Sequence, residues 1–268
     1  MSENIITIAK EELPNKAFSP MIKVPTFGTW RDARKRYPYP ANNSNQNPGY
    51  TPEELLFATC FVGINDRKFD NNSRDCIERL SNLSIEDKQY LMVAFLEAFF
   101  VGPEEAKDAK QYAQQQVLGK PALSYTIPKE MFPSQGQSVT FSRPNSGVQM
   151  SADRAHQGPD INGCSLEEML LSMCITHVDG TPVERTGNDP VVILDSWSIA
   201  DVQYANLVFV NMFTIDNTQQ ELAKSLGKRL RLGNGQSEPG SSTKSTTAKS
   251  SVKASEDSPS WTIKHQFH

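Results

Sequence analysis

The sequence predicts a mainly α fold with small β-hairpins (α+β), built as two tandem related units from an internal duplication, with a disordered C-terminal tail. Three observations carry this expectation. A long stretch repeats without a gap, paired helix-start signals recur inside it, and the chain ends in a Ser/Thr/Lys/Gly-rich segment.

The repeat is clearest in SIEDKQY at 84–90 and SIADVQY at 198–204. Shifting the chain by 114 positions lays 49–113 over 163–227, with 16 identities in 65 positions. Gly49 meets Gly163, Glu53-Glu54 meets Glu167-Glu168, and Cys60 meets Cys174. Asp75/Asp189, Leu80/Leu194, Phe95/Phe209 and Phe99/Phe213 follow in register. Upstream, PTFG at 25–28 resembles PNSG at 144–147 with a slightly larger offset. These matches predict an N-terminal extension at 1–20, a repeat unit at 21–118 and a connector at 119–135. A second unit at 136–230 and a tail at 231–268 complete the chain.

Each element has a local reason. Thr51-Pro52-Glu53-Glu54 and Ser165-Leu166-Glu167-Glu168 read as capping boxes: the hydroxyl accepts an orphan amide three residues on and the glutamate reaches back. Ser84 and Ser198 start the longer helices, and Asp87 and Asp201 at the third position read as cap residues beside them. Those longer helices are apolar on most faces, so each must be covered all round. The cover comes from its own unit, from the other copy or from a partner, with some surface expected to be left for a partner. Between the short and long helices, Asp179-Gly180 predicts a type I′ hairpin turn, and Asn65-Asp66 stands at the equivalent point. Residues 104–117 are strong helix formers, ended by Gly119 and Pro121.

Composition excludes several function classes. The net charge of −4 provides no general attraction to nucleic acid or anionic lipid. No apolar run is long enough to span a bilayer and the start lacks a secretory pattern, so a soluble, intracellularly made protein without membrane partners is expected. The four cysteines form no CxxC pair and no histidine stands beside them at ligand spacing, so buried thiols are expected. Phosphate-binding loops, GxSxG and HExxH are absent. No catalytic residue, cofactor or metal site is expected.

Contact residues are a different matter. Trp30, Arg31, Arg34, Lys35, Arg36 and Tyr37 form a basic-aromatic cluster. The reading is that its aromatics pack on the repeat and its charges face an acidic protein partner. The alternative is a nucleic-acid-binding module using segment 30–39 and the tail lysines. The recurring Gln89-Tyr90 and Gln203-Tyr204 suit packing, with recognition as the alternative. Trp261 and Phe267 restore aromatics at the end of the polar tail and suit a tethered docking peptide.

The stretches VTFSRPNSG (139–147), CSLEEMLLSMCITHVDGTPVE (164–184) and LDSWSIADVQYANLVFVNMF (194–213), with their first-copy equivalents, form a pattern. It resembles tail-assembly chaperones and baseplate hub or hub-assembly proteins of contractile-tailed, T-even-type bacteriophages. That resemblance implies a non-enzymatic role, holding or joining tail or baseplate subunits. It places the chain in the host cytoplasm during assembly, with residence in the virion and homo-oligomerisation both open. The doubling, the basic-aromatic segment and the long tail depart from that family.

Overall fold

The computed structural model describes residues 4–36, 50–69, 76–81, 83–117, 122–156, 162–185, 187–213 and 221–227. The chain divides into a unit of Met1–Thr214 and a second of Ile215–His268. The first is mainly α with two small four-stranded antiparallel sheets. No described helix is long and apolar enough to cross a membrane.

Its first half runs β1 (Ile5–Thr7), a 3-10 turn at Lys10–Glu12, β2 (Pro20–Lys23), α1 (Phe27–Arg36), α2 (Pro52–Cys60), β3 (Phe61–Ile64), β4 (Arg67–Lys68), α3 (Cys76–Ser81) and α4 (Ile85–Phe99). Helix α5 (Pro103–Val117) follows. The second half gives the same order: β5 (Ser124–Ile127), a 3-10 turn at Lys129–Met131, β6 (Val139–Ser142), α6 (Ser146–Ala155), α7 (Leu166–Cys174), β7 (Ile175–Val178) and β8 (Thr181–Pro182). A 3-10 turn at Pro190–Leu194 then takes the place of α3, and α8 (Ile199–Phe213) that of α4. The sheets are ordered β1-β2-β3-β4 and β5-β6-β7-β8. Each carries one register shift at the same point, between Met21 and Ile22 and between Thr140 and Phe141.

The expected boundaries at 21 and 136 need correction. The segments read as an extension and a connector supply β1 and β5, the first strands of the two sheets, plus the 3-10 turns. KEELPNK at 10–16 matches KEMFPSQ at 129–135, and Lys16 and Gln135 both take positive φ, 52° and 51°. The offset here is 119 rather than 114, because the first half is longer between α1 and α2.

The helix starts form as the sequence predicts. Thr51 and Ser165 accept the amides of Glu54 and Glu168 at 3.1 Å, and both glutamates return the bond at 2.8 and 2.7 Å. Ser84 and Ser198 accept the amides of Asp87 and Asp201 at 3.0 Å. Each such cap contributes about 1 kcal/mol. The two aspartates act differently from expectation. Asp87 accepts the Asn15 amide at 3.2 Å, and Asp201 accepts the Ser134 amide at 3.0 Å and the Ser134 hydroxyl. Both are buried, and each ties the loop after its 3-10 turn to the start of the long helix. The hairpin turns also form as read: Asn65, Asp66, Asp179 and Gly180 all have positive φ. The tail expected at 231–268 lies outside the described residues.

Candidate functional site

The two halves share elements but not surroundings. Helix α1 of the first half docks on the second half, against α8 and the 190–194 turn. Its first-turn amides find acceptors there: Phe27 N–H donates to the Trp197 carbonyl at 2.8 Å and Gly28 N–H to the Asp195 carbonyl at 3.0 Å. A Cβ on Gly28 would stand 3.0 Å from both the Cβ and the carbonyl oxygen of Asp195, so the close approach suits glycine. Opposite it, Gly163 has φ +63° and a Cβ there would lie 2.2 Å from the Arg31 carbonyl oxygen.

Ion pairs fix this dock. The Arg31 guanidinium is 3% exposed. It donates to Asp195 at 2.9 and 3.1 Å, to Asp189 at 2.5 Å and to the Asn162 carbonyl at 3.1 Å. Burial alone would lower its pKa, but the Asp189 hydrogen bond and the charges of Asp195 and Asp189 outweigh that and hold it above its ordinary value. Arg34 donates to Glu168 at 2.8 Å and lies over the rings of Trp30 and Phe27, 5.1 and 5.6 Å from their centroids. Helix α5 then lies along α8, burying Ala109 and Ala113.

The basic-aromatic cluster is therefore largely consumed inside the chain. Arg31 and Arg34 were expected to face an acidic partner protein; that acidic surface is Asp189, Asp195 and Glu168 of the second half. Trp30 is buried and meets Phe100 edge to face at 5.5 Å. Lys35 and Arg36 are exposed. Tyr37, Trp261 and Phe267 lie outside the described residues.

The recurring Gln-Tyr pair divides in the same way. Gln203 accepts the Val101 amide at 2.9 Å, in the link between α4 and α5. Tyr204 is 1% exposed, packs on Phe132, and burial raises its phenol to about 12, helped by the charge of Asp108 on α5. Its equivalents in the first half are uncovered: Gln89 is exposed and Tyr90 is 46% exposed.

That contrast extends over a whole surface. A groove of about 260 Å³ in the first half is lined by Tyr50, Glu54, Ile77, Leu80, Leu83, Ile85 and Lys88. Their counterparts by the 114-residue offset are Cys164, Glu168, Val191, Leu194, Trp197, Ile199 and Val202, and all seven are buried. Ile199 is 1% exposed while Ile85 is 73% exposed. Val93, one turn beyond Tyr90 on α4, is 59% exposed. The groove is thus the first-half version of the surface that receives α1.

The sequence singled out Arg31 and Arg34 but gave Asp195 no role and read Glu168 chiefly as a cap. The available signal was divergence inside the repeat: Arg31 falls on Met150, Asp195 on Ser81 and Val202 on Lys88, amid residues that match. The cysteines behave as expected. Burial pushes Cys60 up to about 12 and Cys164 and Cys174 up to about 11, which keeps them as thiols. No known protein family matches this chain, and no curated protein or solved structure is significantly similar to it.

Proposed function

We propose that this chain is a non-enzymatic assembly protein that arose by internal duplication and works by gripping other proteins through the first-half groove and the outer face of α4. The observation that carries the reading is the bare strip of Ile85, Tyr90 and Val93 beside a groove whose counterpart is filled. Exposed Ile85, Tyr90 and Val93, interspersed with exposed Glu86 and Gln89 and flanked by the Lys88–Glu54 ion pair, make a mixed surface of the kind that suits a protein interface. The resemblance to T-even-type tail and baseplate assembly proteins supplies the setting: partners among tail or baseplate subunits, met in the host cytoplasm. The nucleic-acid alternative loses its two central donors, since Arg31 and Arg34 are paired with carboxylates, and it keeps Lys35, Arg36 and the tail lysines.

A photo-crosslinking residue placed at Tyr90 tests this reading. In a mixture with tail and baseplate subunits, it should give one discrete protein adduct that is lost when Ile85 and Val93 become Glu. An adduct pattern indifferent to those substitutions, or no protein adduct at all, would refute it.

A further inference from the structure

The two halves are joined in one direction only. The first half donates α1 and α5; the second half accepts them on α7, the 190–194 turn and α8. A symmetric pair would also place α6, the counterpart of α1, in the first-half groove. It is not there. The outer face of α6 is bare, with Ser146, Gly147 and Asp153 exposed and Met150 54% exposed. Among the described residues, each chain therefore carries one unfilled acceptor and one unused donor.

We infer that the groove beside α4 accepts α6 from a second copy of this chain, so that copies join head to tail. This rests on the protein-binding reading above and names the partner. The docked α1 serves as the template, and three features of α6 follow it. Gly147 occupies the position of Gly28, where α1 nearly touches the Asp195 backbone, yet a Cβ on Gly147 would meet only Asn145 of its own turn. Its glycine is unexplained within one chain and explained by the same close approach to a neighbour. The amides of Ser146 and Gly147 have no protein acceptor among the described residues, whereas those of Phe27 and Gly28 have the carbonyls of Trp197 and Asp195. By sequence, the counterparts of Trp197 and Asp195 are Leu83 and Ser81.

The charges also exchange together. Within the chain, Arg34 of the donor meets Glu168 of the acceptor. In the proposed contact the donor residue is Asp153, and the acceptor has gained Lys88 where the second half has Val202. Lys88 already holds Glu54 at 2.7 Å, so Asp153 would complete a carboxylate–ammonium–carboxylate row. The pair Arg31–Asp195 is replaced in the sequence by Met150 and Ser81, neither of them charged.

The counterpart of α5 also recurs in the sequence. Residues 221–227 form a helical turn pair that falls on 107–113 of α5. Ala223 and Gly227 take the places of Ala109 and Ala113, the two small residues that α5 lays on α8. Leu222 and Leu226 beside them are 65% and 48% exposed. A heterologous contact of this kind gives a ring if the rotation closes and a filament if it does not.

The test uses the full chain and two blocked variants. Ile85→Glu with Val93→Glu blocks the acceptor; Gly147→Leu with Met150→Glu blocks the donor. All four positions are exposed, so both variants should melt cooperatively near the wild-type midpoint. By sedimentation, wild type should grow with concentration beyond the 29.9 kDa monomer. Each variant alone should stay monomeric, and their equimolar mixture should stop at a dimer, because one good donor meets one good acceptor. Wild type that stays monomeric throughout a concentration series, or association that survives either block, would overturn the proposal. If the chain is monomeric yet the crosslink at Tyr90 still captures a different tail subunit, self-association alone fails; if that crosslink fails as well, the protein-binding reading fails with it.

Discussion

Residues 84–90 and 198–204 start their helices with the same serine cap and buried aspartate, then meet opposite surroundings. On α8, Ile199, Val202 and Tyr204 are sealed beneath α1 and α5. On α4, Ile85, Lys88 and Tyr90 reach the surface. The difference shows that two similar stretches can form the same local fold and still be covered differently. Within the chain the cover of α8 is made by Arg31, Arg34, Ala109 and Ala113 of the first half.

Matched substitutions break this comparison most directly. Ile199→Glu forces an unpaired carboxylate into a site of 1% exposure and should cost about 4 kcal/mol or more, whereas Ile85→Glu should change stability by less than about 0.5 kcal/mol. Urea titration of the two variants reads the difference. Equal losses would mean that α4 is as covered as α8.

Next in size is Gly163→Ala. It combines left-handed backbone with a Cβ driven into the Arg31 carbonyl, and should cost about 3 kcal/mol. Gly180→Ala has φ +74° but open space around it, so only the backbone penalty of about 1 kcal/mol applies. Thermal midpoints separate a contact effect from a conformational one. Arg34→Met should follow, since it leaves Glu168 buried without its guanidinium, at a cost of about 3 kcal/mol. Asp153→Met on exposed α6 should cost almost nothing in the monomer.

The smallest expected effect is at Tyr204. Its hydroxyl is buried with no partner among the described residues, so Tyr204→Phe should leave neutral-pH stability unchanged or slightly higher. The difference widens in the same direction with alkali. A phenol raised from 10.0 to about 12 favours the folded state fully below pH 10, and that contribution is lost as the pH rises toward 12. The Phe variant should therefore lose less stability than wild type across that window, measured by chemical unfolding at stepped pH.

Much of the fold was legible because its signals are local. Thr51-x-x-Glu54 and Ser165-x-x-Glu168 name their own hydrogen bonds, and Asp179-Gly180 names its own turn. The first strand of each sheet was not legible: β1 and β5 are short, and the matching 10–16 and 129–135 are only seven residues long and stand at a different offset. The candidate site was half legible. The apolar surplus of the long helices indicated a surface left over, but which copy kept it depends on contacts between residues more than 130 positions apart, such as Arg34 with Glu168. A basic cluster read alone suggests an external partner; only the folded chain shows the carboxylates that absorb it.

Hydroxyl-radical footprinting of Tyr90 and Tyr204, read by mass spectrometry across a dilution series, tests the central claim most directly. In dilute protein Tyr90 should label strongly and Tyr204 hardly at all, with Tyr90 losing its label as the concentration rises. Equal labelling of the two tyrosines in dilute protein would contradict the account.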